Sequence, residues 1–406
     1  MARTNRLVKE SACDTADRTV VAAPDCGSEE RITTACQPLP ASHTKKRFES
    51  HSRLWFWTIL VSEVAALFTA AEIIAGYFLP PGHRFIHPQM LVEPNARRIF
   101  FHRPNQSAFT IDQPFVTNSM GFREESELSV PKNGEFRILS LGDSITVGVG
   151  VAAQDTYAKQ LERRLSQAGL SNRVINGGVG AYGTWQEVDV LKEKGTAVQP
   201  DLVTLQFLWN DLYPKPETIV PLSAREAEQQ EASLKYLRYL KRSRLLLFLR
   251  ERWSILWNTQ RPSFDWSHRE MIYHGRTSPY LERAYEDVAK SLEEFAALAR
   301  GHFVPILLIV PIPMQVQQPD PPPTFFQERI GDLAKQAGLR TIDLLPVLRE
   351  AYQKDRDLYI PWDGEHFTQR GHRVIADALQ RYLDAEGLLP ARMEDAAHGL
   401  RSVRLP

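Results

Sequence analysis

Residues 136–145 read Phe-Arg-Ile-Leu-Ser-Leu-Gly-Asp-Ser-Ile. A short apolar run ends in glycine, acid and serine, then enters a glycine-rich turn. This is the pattern of a strand buried on both faces, and such strands belong to parallel sheets covered by helices. It delivers Ser144 to the carboxyl end of the strand, where open α/β sheets place their ligand crevices. Two later blocks have the same placement. An apolar run over 201–208 ends in Trp209-Asn210-Asp211, and a polar loop reads Asp363-Gly364-Glu365-His366 just before a last helix. A serine, a histidine with a nearby carboxylate and an amide donor are the parts an acyl-transfer site needs.

From 136 onward strand and helix patterns alternate, which predicts a parallel sheet with helices on both faces. Strands are expected at 136–141, 173–176, 201–208, 304–310 and 340–343. Helices are expected at 155–168, 185–194, 281–300, 325–337 and 368–385, the last capped by Thr368. Residues 80–135 read as an irregular lead-in with short strands. Residues 214–280 form an insertion where a short connection would serve. Its stretch 223–257 is helical in pattern, with Arg244 and Arg250 around Leu245–Leu249 and with Trp253 and Trp257. Such a helix either touches anionic lipid or packs on the sheet as a lid.

The first 53 residues have no sustained period and read as a disordered tail. Residues 54–79 are apolar and long enough to cross a bilayer, with Trp55, Trp57 and Tyr77 suited to the interfaces. Glu63 and Glu72 oppose this, since an acid in mid-membrane costs ~2–3 kcal/mol. Lys45, Lys46, Arg47 and Arg53 flank the amino side and only Arg84 lies close on the other. The positive-inside rule then leaves the tail in the cytoplasm and residues 80–406 outside. The long leader before the apolar run argues against a cleaved signal peptide. The last stretch, 391–406, reads as a second tail.

With 49 basic and 49 acidic residues the chain has no net charge to attract nucleic acid. Cys13, Cys26 and Cys36 all precede the apolar stretch. The catalytic region therefore has no thiol nucleophile, and their spacing matches no zinc pattern. No ligand cluster implies a metal or an organic cofactor.

Strand–Gly-Asp-Ser-Ile, strand–Trp-Asn-Asp and Asp-x-x-His before a final helix, in this order, resemble the SGNH hydrolases, also called GDSL-type esterases and lipases. The resemblance covers 136–385 and implies a three-layer, flavodoxin-like α/β fold and ester hydrolysis without a cofactor. It assigns Ser144 as nucleophile and His366 as general base, with His372 as the rival histidine. Asp363 would fix the imidazole tautomer, with Glu365 as the alternative carboxylate. The oxyanion would be held by the Ser144 N–H, the Asn210 side chain and a backbone N–H of the block Asn176–Gly183. Counting from Asn176, the family's glycine falls on Ala181, with Gly180 next to it; alanine serves if its dihedrals are allowed. The absence of Gly-x-Ser-x-Gly, Thr146 standing where the second glycine would be, argues against an α/β-hydrolase elbow. A lead-in Asn118-Ser-Met-Gly121-Phe-Arg123 resembles that of membrane-anchored bacterial members, and an ion pair is the expected role of Arg123. The family's substrates are acylated sugars, lipids and small esters. An anchor beside the envelope favours O-acetyl or other O-acyl groups on polysaccharide. The alternatives are O-acetyl transfer to an exported polysaccharide, or glycan binding without catalysis.

Overall fold

The computed structural model describes residues 43–78, 88–220, 243–249 and 264–390, apart from positions 130, 133, 247, 361, 362 and 364. The cysteines, the tail up to residue 42, most of the basic stretch 223–257 and the tail 391–406 lie outside the described residues. Two units are distinguished, residues 1–65 and 66–406.

Helix α1, His43–Phe78, contains the apolar stretch. It starts inside the segment expected to be disordered, because Lys45 to Ser50 carry no glycine or proline to stop a helix running back from Arg53. Residues 53–77 are apolar and long enough to cross a membrane. Leu54, Trp55, Val64, Leu67 and Ile74 are all more than half exposed.

The lead-in is two antiparallel hairpins. Strand β1, Val92–Asn95, pairs with β2, Ile99–His102, and β3, Ser107–Thr110, with β4, Gln113–Val116.

The core of the second unit is a five-stranded parallel sheet of β5, Phe136–Leu141; β6, Asn172–Asn176; β7, Leu202–Phe207; β8, Val304–Ile309; and β9, Arg340–Asp343. All six residues of β7 are buried, and five of six in β5. That explains their unbroken apolar reading, since both faces are covered. The order is β6-β5-β7-β8-β9. The chain goes from β5 out to β6, then back across β5 to β7. This reversal opens a crevice beyond the carboxyl ends of β5 and β7, the ends that carry Ser144 and Asn210.

The connecting helices follow the expected rhythm: α2, Ser144–Val147; α3, Tyr157–Gln167; α4, Thr184–Val198; α5, Phe264–Tyr273; α6, Pro279–Ala299; α7, Pro313–Gln317; α8, Phe325–Gln336; α9, Leu345–Lys354; and α10, Gln369–Ala385. Thr156 caps α3, Ser278 caps α6 with Pro279 in the first turn, and Thr368 caps α10 through the Gly371 N–H. Helix α4 runs further at both ends than its pattern indicated. Helix α5 was not expected, since the insertion's helical pattern was read at 223–257, and neither were α7 and α9. Of these two, the first is only five residues long, and α9 buries only Leu345 and Leu348, so neither shows a wide apolar stripe.

Candidate active site

Ser144 opens α2, and the approach to it is crowded. A Cβ on Gly142 would collide with the side chains of Thr146 and Gln206, and one on Gly178 with the backbone of α2. Only glycine fits at either point, so the turn after β5 and the loop after β6 close on each other. Asn176 Nδ2 adds a hydrogen bond to Thr146 O at 2.8 Å, and the Val179 N–H one to Gly142 O at 2.9 Å.

Beneath this turn sits Arg123. It is 1% exposed and, among the described residues, lacks the ion pair expected of it. Nη1 donates to Val147 O at 2.6 Å and Gly148 O at 2.8 Å, and Nη2 to Val151 O at 2.8 Å and Pro114 O at 3.0 Å. The guanidinium packs over the Phe115 ring. Burial lowers its pKa to about 10, which leaves it charged at neutral pH. The ion pairs fall one residue later, where Glu124 binds Lys159 and Arg173 at 2.8 and 2.9 Å. The lead-in motif therefore has a local reason. Asn118 Oδ1 accepts the Met120 and Phe122 N–H groups, Gly121 takes a left-handed φ of 79°, and Arg123 is turned onto the end of the turn that carries Ser144. Arg123→Ala removes a donor from three buried carbonyls and one part-buried carbonyl, so we expect a loss of about 3–5 kcal/mol in urea unfolding. Arg123→Met should fail to rescue it, because it offers no donor to the Val147 and Val151 carbonyls.

Asp143 is fully buried. Its Oδ1 accepts the Ile145 N–H at 2.8 Å and its Oδ2 accepts Asn210 Nδ2 at 2.7 Å. The carboxylate settles which way the amide points, since Oδ1 of Asn210 facing it would be repelled. The second proton of Nδ2 remains for another acceptor. Burial raises the Asp143 pKa, against the opposing effect of Ile145, Asn210 and His366. Asp211 accepts the Leu208 N–H locally at 2.7 Å, and Thr184 Oγ1 at the start of α4 at 2.8 Å.

The block after β6 turns sharply at Val179–Tyr182, closed by the Tyr182 N–H on Val179 O at 3.2 Å. Gly180 and Ala181 are its central residues. Ala181 has φ 63°, the left-handed value a type II turn needs at its third position. The dihedral allowance asked of Ala181 is thus met at a cost. We expect Ala181→Gly to raise stability by about 0.5–1 kcal/mol in urea unfolding, relief of the left-handed strain exceeding the entropy lost by glycine. Among the described residues, the N–H groups of Ser144, Gly180 and Ala181 donate no hydrogen bond.

His366 Nδ1 lies 2.6 Å from Asp363 Oδ2, while Asp363 Oδ1 accepts the N–H groups of Glu365 and His366 at 3.0 Å each. A carboxylate accepts only, so Nδ1 carries the proton and Nε2 is the free base. Burial pulls the His366 pKa down, but the Asp363 hydrogen bond and the charges of Asp363, Glu365 and Asp143 outweigh it, and the net shift is upward. Glu365, next to His366, bonds Trp209, and Asn210, next to Trp209, bonds Asp143, so hydrogen bonds tie the histidine loop to the turn that carries Ser144. Among the described residues no hydrogen bond joins Ser144 Oγ to His366; catalytic pairs in free enzymes are often open in this way.

Glu365 turns from the imidazole ring and accepts Trp209 Nε1 at 2.7 Å. Arg269, on α5 of the insertion, stacks over the Trp209 ring and lies 3.9 Å from Glu365. This brace between the insertion and the histidine loop had no sequence signal, since its three residues are far apart in the chain. His372 is remote from such chemistry. It is buried, its Nδ1 accepts the Tyr157 N–H at 3.2 Å, and burial with the charges of Arg123 and His366 lowers its pKa to about 3.

A reversing parallel sheet with a serine, an asparagine and an Asp–His pair at its carboxyl edge defines an acyl-transfer enzyme of the three-layer α/β class. The chain belongs to the GDSL-like lipase/acylhydrolase family, whose model matches residues 140–374, and it is an ester hydrolase. A search of curated proteins found no match. Similar solved structures include a lipase/acylhydrolase from Enterococcus faecalis, with 17% identity, 62% of this chain and 96% of that chain covered, and a TM-score of 0.38. A family 3 carbohydrate esterase from Clostridium thermocellum has 16% identity, 62% and 96% coverage and a TM-score of 0.37. An acetyl-xylooligosaccharide esterase from Geobacillus stearmophilus has 16% identity, 61% and 94% coverage and a TM-score of 0.38.

Proposed function

We propose that the protein is a membrane-tethered serine esterase that removes O-acetyl or other small O-acyl groups from carbohydrate of the cell envelope. The observation that carries the reading is the Asp363–His366 pair, 2.6 Å apart, in a loop tied through Trp209 and Asn210 to the turn that presents Ser144. His366 Nε2 takes the proton from Ser144 Oγ as the oxygen attacks the ester carbonyl, and returns it to the leaving alcohol. The acyl group stays on Ser144 until water, deprotonated by the same nitrogen, releases it as a carboxylic acid. The carbonyl oxygen becomes an oxyanion in both steps. Donors that support its stabilisation are the unused N–H groups of Ser144 and of Gly180 or Ala181, with the second proton of Asn210 Nδ2. Asp143 orients that amide. The apolar helix over 53–77 supports a tether with the catalytic unit outside the membrane.

The test uses the full chain in lipid nanodiscs. A fluorophosphonate probe should add to one residue, mapped by mass spectrometry to Ser144. Acetate should be released from acetylated polysaccharide faster than longer acids from matched esters. No adduct on folded protein would overturn the serine mechanism, and adduct formation without acetate release would overturn the substrate.

A further inference from the structure

Glu72 is an acid inside an apolar helix. From Arg53 it is 19 residues along α1, roughly 29 Å at 1.5 Å per residue, close to the ~30 Å thickness of a hydrocarbon core. On the membrane reading of α1, this carboxylate lies at the outer boundary between acyl chains and headgroups.

It is also fully engaged there. Ser243 Oγ donates to it at 2.7 Å, the Arg244 N–H at 2.5 Å and the Leu245 N–H at 3.1 Å. These are the unpaired donors at the start of a helical turn beginning at Arg244, and Ser243 Oγ caps the same turn by accepting the Leu246 N–H at 3.1 Å. The Arg244 guanidinium then reaches Gly76 O at 2.6 Å. Ala75, one residue earlier, is buried, whereas Ile73, Ile74 and Tyr77 on the other sides of α1 are exposed.

The segment so attached reads Ser-Arg-Leu-Leu-Leu-Phe-Leu-Arg over 243–250. Leu249 is half exposed. Leu245, Leu246 and Phe248 are partly buried, so the exposed apolar surface of the run faces outward at Leu249. At a bilayer surface it is an interfacial segment, with leucines in the acyl region and arginines among the phosphates.

We propose that residues 243–249 lie in the outer leaflet of the membrane, pinned to α1 by Glu72, so that the bilayer holds the insertion as well as the tether. The partner is the hydrocarbon–headgroup boundary of a phospholipid membrane. The inference rests on α1 spanning that membrane. It accounts for Glu72 in the apolar helix and for the leucine-rich start of the basic stretch of the insertion. Downstream, the same insertion supplies Arg269 to the brace on Trp209 and Glu365, so membrane attachment bears on the wall of the catalytic site.

The test uses the full chain, with its three cysteines replaced by serine, in nanodiscs of phosphatidylethanolamine and phosphatidylglycerol. A fluorophore sensitive to polarity is attached at Leu249→Cys or, as a control, at Val64→Cys within the span. Lipids carrying a nitroxide at a shallow or a deep position serve as quenchers. Both labels should be quenched, the insertion label more by the shallow nitroxide and the span label more by the deep one. Adding Glu72→Ala should relieve the quenching of the insertion label and leave that of the span label, with the circular dichroism unchanged. Quenching of the span label but not of the insertion label overturns this proposal and leaves the tether standing. Absence of quenching at both overturns the tether as well. Quenching of the insertion label that survives Glu72→Ala overturns the pinning role of Glu72.

Discussion

Ser144→Ala is expected to lower kcat for ester hydrolysis on the order of 10⁶-fold, with urea unfolding unchanged. The two halves of this expectation have separate reasons. Ser144 Oγ is half-buried and makes no hydrogen bond among the described residues, so the fold loses almost nothing with it. Chemistry loses the acyl-enzyme altogether, and what remains is uncatalysed attack of water on an ester held by the oxyanion donors. His366→Ala should cost a similar factor, because a serine hydroxyl without a base is a poor nucleophile. The double variant should cost little more than either single one. Additive losses in stopped-flow or long-time-course assays would mean that the two residues do not act on one proton, and the mechanism would fall.

The sheet and the blocks at its edge were legible for one physical reason. A parallel strand covered on both faces must be apolar throughout, so β5, β7 and β8 announce themselves, and the residues just past their ends are those the fold aims at the crevice. The Asp363–His366 pair was legible because its partners stand three positions apart in a single loop. What stayed hidden depends on long-range approach. Nothing near Arg123 in sequence shows that its guanidinium will meet the carbonyls of Val147, Gly148 and Val151. The tie between Asp143 and Asn210 spans 67 residues. Glu72 reads as an argument against a membrane helix until its partners at 243–245 are placed beside it. The left-handed backbone at Ala181 was open as a question and closed only by its φ of 63°. Helix α7 escaped because five residues are too few to show a period, and α9 because only Leu345 and Leu348 are buried along it.

Asp363→Asn is expected to lower kcat/KM about 10⁴-fold and to move its acidic limb to lower pH. The amide can keep the two backbone N–H groups of Glu365 and His366 on its oxygen, so the loop retains its shape. Its NH₂ then faces His366 Nδ1. A donor cannot meet a donor, so the imidazole shifts its proton to Nε2 and loses the lone pair that Ser144 needs. The pH limb follows from the balance of effects on His366. Burial lowers its pKa, and the Asp363 bond and charge, helped by Glu365 and Asp143, raise it above the ordinary 6.5. The base works only when neutral, so in the wild type kcat/KM should climb with pH through a value above 6.5 and then level off. Removing the charge of Asp363 takes away the chief raising effect and leaves burial, so the limb falls. A pH–rate profile of both proteins on one short-chain ester checks this. An unchanged limb in Asp363→Asn would mean that the group titrating in the wild type is not His366. Glu365 would then be the group to replace next, because burial raises its pKa despite the Trp209 bond and the charges of Arg269 and His366.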